Sequence, residues 1–350
     1  MRLVTFEVAT NVGPCQRLGA LLDDRIVDLV ASYGETVLDG VPPHRADVLA
    51  RATVGATMVE HFEGGAVSRA AAEDALAAAA TQDPAGRGPS GARLSYHAED
   101  VRILAPVPRP ASLRDYTGFR AHMEAFLKSV DMPDFSEQIF KARPMYYKAN
   151  ANMVVGPDEE VPWPSVGDSF DFEVEPAIFI GKAGKNIRPE DAAEHIAGYT
   201  IFNDFSIRDY QKDEMSLPVN LYGVSKSKDA GRYALGPCVV TPDELDVSDL
   251  ALVVRVNGEE WVRESTRDMT WSFADIVSYS SIDEPLVVGE CMAGGAPPRG
   301  CGADIGRWIK PGDEVECEIE GIGVLRNTLG NRRLNDAVVH LWHGGGAAKG

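Results

Sequence analysis

The sequence predicts an α+β, strand-dominated fold in which a small N-terminal β/α unit precedes a larger strand-rich one. Three observations carry this expectation. Beyond about residue 100, short apolar segments follow one another at strand length, bounded by turn residues. Helical spacing is concentrated in the Ala-rich stretches 45–60 and 66–80. A run of Pro, Gly and small residues at 81–92 separates the two parts and reads as a linker or surface loop. The expected units are therefore 1–92, a small N-terminal domain and linker, 93–343, a larger strand-rich domain, and 344–350, a disordered Gly-rich tail.

The elements follow in order. Segments 2–6, 17–22 and 25–29 alternate like strands, and Asp23-Asp24 suits the hairpin turn between the last two. Extended segments are expected at 101–104, 153–155, 172–180, 238–241, 250–256, 259–265 and 314–319. Asn257-Gly258 is a strong hairpin signal between two of these, and 310–313 a turn into the last. Helices are expected at 189–197 and 272–279. The order is neither a βαβ repeat nor a plain sandwich.

Length and composition bound the function. With 350 residues, 44% hydrophobic, the chain can bury a large core. Its net charge of −19 argues against nucleic acid and anionic membrane as partners, which need a basic face. There is no apolar run of membrane-spanning length, and the first residues read as a strand rather than a signal peptide. Five scattered cysteines without a CxxC pair point to free thiols and a cytoplasmic location. There is no Gly-x-Ser-x-Gly elbow and no His-Glu-x-x-His zinc motif. Gly300, Gly302 and Gly306 imitate a dinucleotide fingerprint without its strand and helix, and His340 with His343 reads as a surface pair.

Three segments carry chemistry. In Asp171-Phe172-Glu173-Val174-Glu175 the acids alternate, so a strand would point all three the same way. Two carboxylates about 5 Å apart at an effective dielectric of ~20 repel by ~3 kcal/mol. Either a hard divalent cation sits there, or the row faces solvent on an edge strand. In 198–211 an apolar strand runs into polar residues. There Asp204, Arg208 and Gln211 are spaced to share one helical face, or Asn203 or Asp204 caps a helix. In 113–124, Asp115 is a candidate metal ligand, and His122 with Glu124 nearby a candidate base in a chain of seven histidines.

Together these segments resemble the fumarylacetoacetate hydrolase family. The run from Asp171 to Gln211 is similar to its signature, an E-x-E strand followed by N-D-x-S-x-R-D-x-Q. The blocks YYKAN (146–150), ALGPCVVTPDEL (234–245) and KPGDEVECEIEGIGVLRN (310–327) add to the likeness, which covers about residues 100–327. The resemblance implies a mixed β-roll, a homodimer, and Mg²⁺, Mn²⁺ or Ca²⁺ held by Glu173, Glu175, Asp204 and Asp115. It implies His122 as general base with Glu124 as a candidate partner. Lys226, with Lys228 as rival, would stabilise an oxyanion, and Arg208, Gln211, Lys226 and Tyr116 would hold a small anionic dicarbonyl or 2-oxo acid substrate. The implied activity is metal-dependent C–C bond hydrolysis of an acylpyruvate or β-diketo acid. The alternatives are a 2-oxo acid decarboxylase, a 2-hydroxy-dienoate isomerase, or a non-catalytic metal-binding relative. Two features depart from the pattern: Ala296 stands where the family often has Thr, and Glu124 lies two residues after the histidine instead of three. The segment 123–138 is expected to form a lid that sets specificity.

Overall fold

The structure, a computed structural model, describes residues 1–38, 40–129, 136–215, 225–226 and 232–332. The expected Lys228, His340, His343 and the 344–350 tail lie outside the described residues, as does part of the expected lid, 130–135.

Strand-forming patterns translate directly into a mixed α+β fold. Its centre is a twelve-stranded sheet whose middle is Arg2–Thr10, Tyr233–Val240, Ile196–Asp204, Val174–Ile180, Cys291–Ala293, Leu113–Tyr116 and Tyr146–Ala149, in that order. The pairs are antiparallel except Cys291–Ala293 on Leu113–Tyr116, which is parallel. A five-stranded sheet packs across it, built from Glu259–Ser265, Ala251–Val256, Glu314–Ile319, Gly323–Leu329 and Glu160–Val161. The apolar side chains between the two sheets, among them Phe170, Phe172, Val254, Val315 and Leu325, form the largest buried cluster. Burying each such side chain contributes roughly 1.5–3 kcal/mol.

Local chemistry explains the turns and caps. Asn257 adopts a left-handed φ of 51° and Gly258 one of 78°, the conformation a two-residue hairpin needs. Asp23 does the same at φ 53° between Gly13–Leu22 and Arg25–Asp28. Ser272 and Asp275 form a reciprocal capping box that starts helix Phe273–Ser280. The Ala-rich segments become helices Pro43–Val54 and Gly65–Ala79, with the short helix Met58–Glu63 between them.

Segment 1–92 joins the same sheet as the rest. Arg2–Thr10 pairs with Tyr233–Val240, and Met1, Leu3, Ala72, Phe202 and Tyr233 share one core cluster. Strands Leu113–Tyr116, Tyr146–Ala149 and Cys291–Ala293 were not expected from the sequence. They are three or four residues long, too short for a periodic pattern to show.

Candidate active site

Adjacent strand ends bring four carboxylates together. Asp115 lies on Leu113–Tyr116, Glu175 on Val174–Ile180, and Asp204 is the last residue of Ile196–Asp204. Glu173 sits just before its strand, bridged to Cys301, with its carbonyl accepting from the Asp204 N–H at 3.0 Å. Carboxylate oxygens of Asp115, Glu173, Glu175 and Asp204 all lie within 4.8 Å of one another, and all four residues are buried. The strand that carries Glu175, Val174–Ile180, lies mid-sheet, so the solvent-facing edge reading fails. Close backbone approach makes this convergence feasible: Gly295 has φ 86°, and a Cβ there would lie 2.3 Å from the Tyr116 carbonyl. Its N–H donates to Glu175 Oε2 at 2.8 Å.

Asp171 does not join them. The chain breaks from strand geometry between Phe170–Asp171 and Val174–Ile180. Asp171 instead accepts from the N–H groups of Phe172, Gly302 and Ala303 at 2.9, 2.8 and 3.0 Å, and from Arg208 Nε at 2.7 Å. Its role is to anchor Arg208, whose Nη2 lies 2.8 Å from Glu173 Oε1. The single helical face expected for Asp204, Arg208 and Gln211 is also corrected. Asp204 ends a strand, and the helix begins only at Arg208, so Arg208 and Gln211 alone share it. Nor does Asn203 or Asp204 cap that helix: Asn203 Oδ1 accepts from the Glu173 N–H at 3.1 Å. Arg208 Nη1 donates to Gln211 Oε1 at 2.8 Å, and both side chains line the cavity.

The local charges explain the ionisation of the cluster. Burial pushes Glu173 up, but Arg208, Lys226 and His122 pull harder, so it stays below the ordinary carboxylate range. Asp115 and Glu175 are pushed well up, by burial first and then by neighbouring carboxylates. Lys226 Nζ donates to both Glu173 and Asp204, and Tyr147 Oη donates to Asp204 Oδ2 at 2.7 Å. One oxygen each of Asp115 and Asp204 nevertheless remains buried without a hydrogen-bond partner among the described residues. An all-oxygen set with excess negative charge and unmet lone pairs fits a hard divalent cation.

His122, on helix Arg120–Ser129, faces this cluster. Its Nδ1 is 2.7 Å from Asp304 Oδ2 and its Nε2 is 3.8 Å from Glu173 Oε1. Glu124, the partner expected from the sequence, is turned away. One helical turn joins it to Arg120 Nε at 2.7 Å, because residues two apart do not share a helix face. Asp304 was missed: it lies 182 residues downstream on the short helix Gly302–Ile305, where no local spacing marks it. Tyr116 reaches the cavity wall, but its hydroxyl is hydrogen-bonded to Ser280, since strand alternation sets it opposite Asp115. The cavity, about 760 Å³, is walled by Phe119, Met123, Phe126 and Met145 beside the polar floor, with Ala296 at its edge.

The fold and this floor of acids define a family, and the comparisons with known proteins agree. Residues 112–330 match the model of the fumarylacetoacetate (FAA) hydrolase C-terminal domain. The chain belongs to the fumarylacetoacetate hydrolase family. It is 30% identical over 334 residues to a protein of Bos taurus named oxaloacetate tautomerase FAHD2A, mitochondrial, covering 94% of this chain and 91% of the relative. It is also 30% identical over 239 residues to oxaloacetate tautomerase YisK of Bacillus subtilis, 67% of this chain and 75% of that one. Its fold is similar to maleylpyruvate hydrolase from Sphingobium sp. SYK-6, solved in complex with manganese (II) ion and pyruvate. That likeness has a TM-score of 0.65 and 22% identity, covering 95% of this chain and all, 100%, of the other. Among the described residues no helix is long and apolar enough to cross a membrane.

Proposed function

We propose that this protein is a metal-dependent keto–enol tautomerase of a short 2-oxo acid of the oxaloacetate class. The observation that carries the proposal is the imidazole of His122, held by Asp304 at 2.7 Å and facing the acid cluster. Enolisation needs a base that removes a carbon-bound proton and a group that returns one to the other face or atom. With Nδ1–H donated to Asp304, the Nε2 lone pair of His122 can take the C3 proton while the enolate oxygen takes up a proton from solvent, and the reverse direction returns the imidazolium proton to C3. Asp115, Glu173, Glu175 and Asp204 would hold a divalent cation, Mg²⁺ being the first choice and Mn²⁺ or Ca²⁺ the others, which would supply Lewis-acid stabilisation of enolate charge. Lys226 adds a fixed positive charge beside Glu173 and Asp204, where an oxyanion would develop. Arg208 and Gln211 then act as positioning residues, since the guanidinium already holds Asp171 and Glu173. The relatives named as tautomerases cover nine-tenths and two-thirds of this chain, which favours this outcome over the hydrolase expected from the sequence.

C–C bond hydrolysis of an acylpyruvate is the second reading. It is favoured by the 760 Å³ cavity with its apolar wall, roomier than a four-carbon acid needs. In that reaction His122 would deprotonate water instead of C3. The assay that separates the two follows enol-oxaloacetate decay by its ultraviolet absorption, alongside an acylpyruvate series with Mg²⁺ and an EDTA control. Faster enol–keto exchange without release of a carboxylic acid supports the tautomerase; acid release from acylpyruvates with no effect on enol decay defeats it. Carbon dioxide evolution would identify a decarboxylase. A homodimer and a cytoplasmic location complete the proposal. The cysteines are all free, while the bovine relative is named mitochondrial, so light scattering and fractionation test these two points.

A further inference from the structure

We propose that His122, Cys301 and Asp304 form a second cation site, selective for thiophilic metals such as Zn²⁺, immediately beside the carboxylate cluster. One ligand atom from each of the three residues lies within 4.8 Å of the others. Tetrahedral Zn²⁺ with bonds of about 2.0–2.3 Å sets its ligands roughly 3.3–3.8 Å apart, so small side-chain movements suffice. An independent observation marks the same spot. The Asp304 side chain is only 1% exposed, and its Oδ1 is buried with no hydrogen-bond partner among the described residues, although Oδ2 holds His122. Such an orphan oxygen is destabilising unless something meets it. His122, 14% exposed, borders the cavity and gives the position an entry path and an open fourth ligand place.

Ligand softness sorts the two sites. The four-carboxylate cluster is all oxygen and suits Mg²⁺, Mn²⁺ or Ca²⁺, whereas imidazole with thiolate suits Zn²⁺. Burial keeps the Cys301 thiol protonated, which argues against a nucleophilic role; binding Zn²⁺ releases that proton to solvent. Occupation takes the imidazole out of service as a base. Zn²⁺ therefore inhibits the protein while the hard cation stays in place, a consequence that rests on the function proposed above. The binding itself does not.

The test uses the full chain saturated with Mg²⁺ and titrated with Co²⁺, followed by the near-ultraviolet thiolate-to-cobalt charge-transfer band and then by Zn²⁺ displacement. The expected result is a band saturating at one Co²⁺ per chain. It is abolished in Cys301→Ser, requires at least tenfold more metal in Asp304→Asn, and is unaltered in Cys15→Ser. Asp304→Asn keeps the test decisive if the Cys301→Ser chain fails to fold. Absence of the band, or its survival in Cys301→Ser, overturns the proposal. Zn²⁺ inhibition is read in each variant against its own rate without Zn²⁺. A charge-transfer band without any turnover leaves the site standing and removes the proposed activity instead.

Discussion

Buried acids of the same region are treated in opposite ways. Asp171 receives three backbone N–H groups and the Arg208 guanidinium. Asp115 and Asp204 each keep an oxygen that nothing in the described protein meets, and they crowd against Glu173 and Glu175. A satisfied buried carboxylate serves the fold, because its burial cost is offset by directed donors. An under-satisfied cluster costs the fold stability that a bound cation would restore. Gly302 shows the precision of the first arrangement: a Cβ there would lie 2.4 Å from Asp171 Oδ1.

The largest way to break this comparison is to remove a cluster acid or the base. Glu175→Gln is expected to abolish turnover and cation binding together. His122→Ala should lower turnover by ~10²–10⁴-fold while cation binding persists. Loss of both properties in His122→Ala would make it a ligand and not a base. Asp304→Asn leaves the ring in place with the wrong tautomer favoured, so kcat should fall by at least ~10-fold with KM little changed.

Stability separates the two kinds of acid by sign. Asp171→Ala removes one of the two buried carboxylates paired with Arg208 and leaves three backbone N–H donors unmet, and urea unfolding of the cation-free protein should show a loss of ~3–5 kcal/mol. Asp115→Asn removes a repelling charge, so the same measurement should show a gain of ~1–3 kcal/mol. Equal and negative shifts in both would erase the distinction. The smallest effects belong to the rim. Glu124→Ala, which removes an exposed pair with Arg120, should change stability by under ~1 kcal/mol and kcat by under about twofold. A tenfold drop in kcat would return Glu124 to the chemistry.

Much of this architecture was readable before the structure. Alternation at 251–256 and 259–265 with Asn257-Gly258 between them specifies a hairpin by chemistry alone. The acids Glu173, Glu175 and Asp204 stood out because charge in an apolar run is costly, and the structure does bring them together with Asp115. What stayed hidden depends on contacts far apart in the chain. Asp304 meets His122 only through tertiary packing of the Gly302–Ile305 and Arg120–Ser129 helices. Asp171 looked equivalent to its neighbours because alternation assumes an unbroken strand. The break at Phe172 hands it to the Gly302 and Ala303 N–H groups instead. Asp204 fitted a helical spacing with Arg208, but the β-strand pairing of Asn203 and Asp204 with Ala234 and Tyr233 overrides that local pattern.

A calorimetric titration of metal-free protein with Mn²⁺, run in parallel on the wild type and on Glu175→Gln, probes the four-carboxylate centre without reference to any substrate. The account predicts one Mn²⁺ per wild-type chain, a rise in unfolding free energy of about 2.7 kcal/mol at a hundredfold excess over Kd, and neither effect in the variant. Mn²⁺ binding that is absent from the wild type, or undiminished in Glu175→Gln, would contradict it.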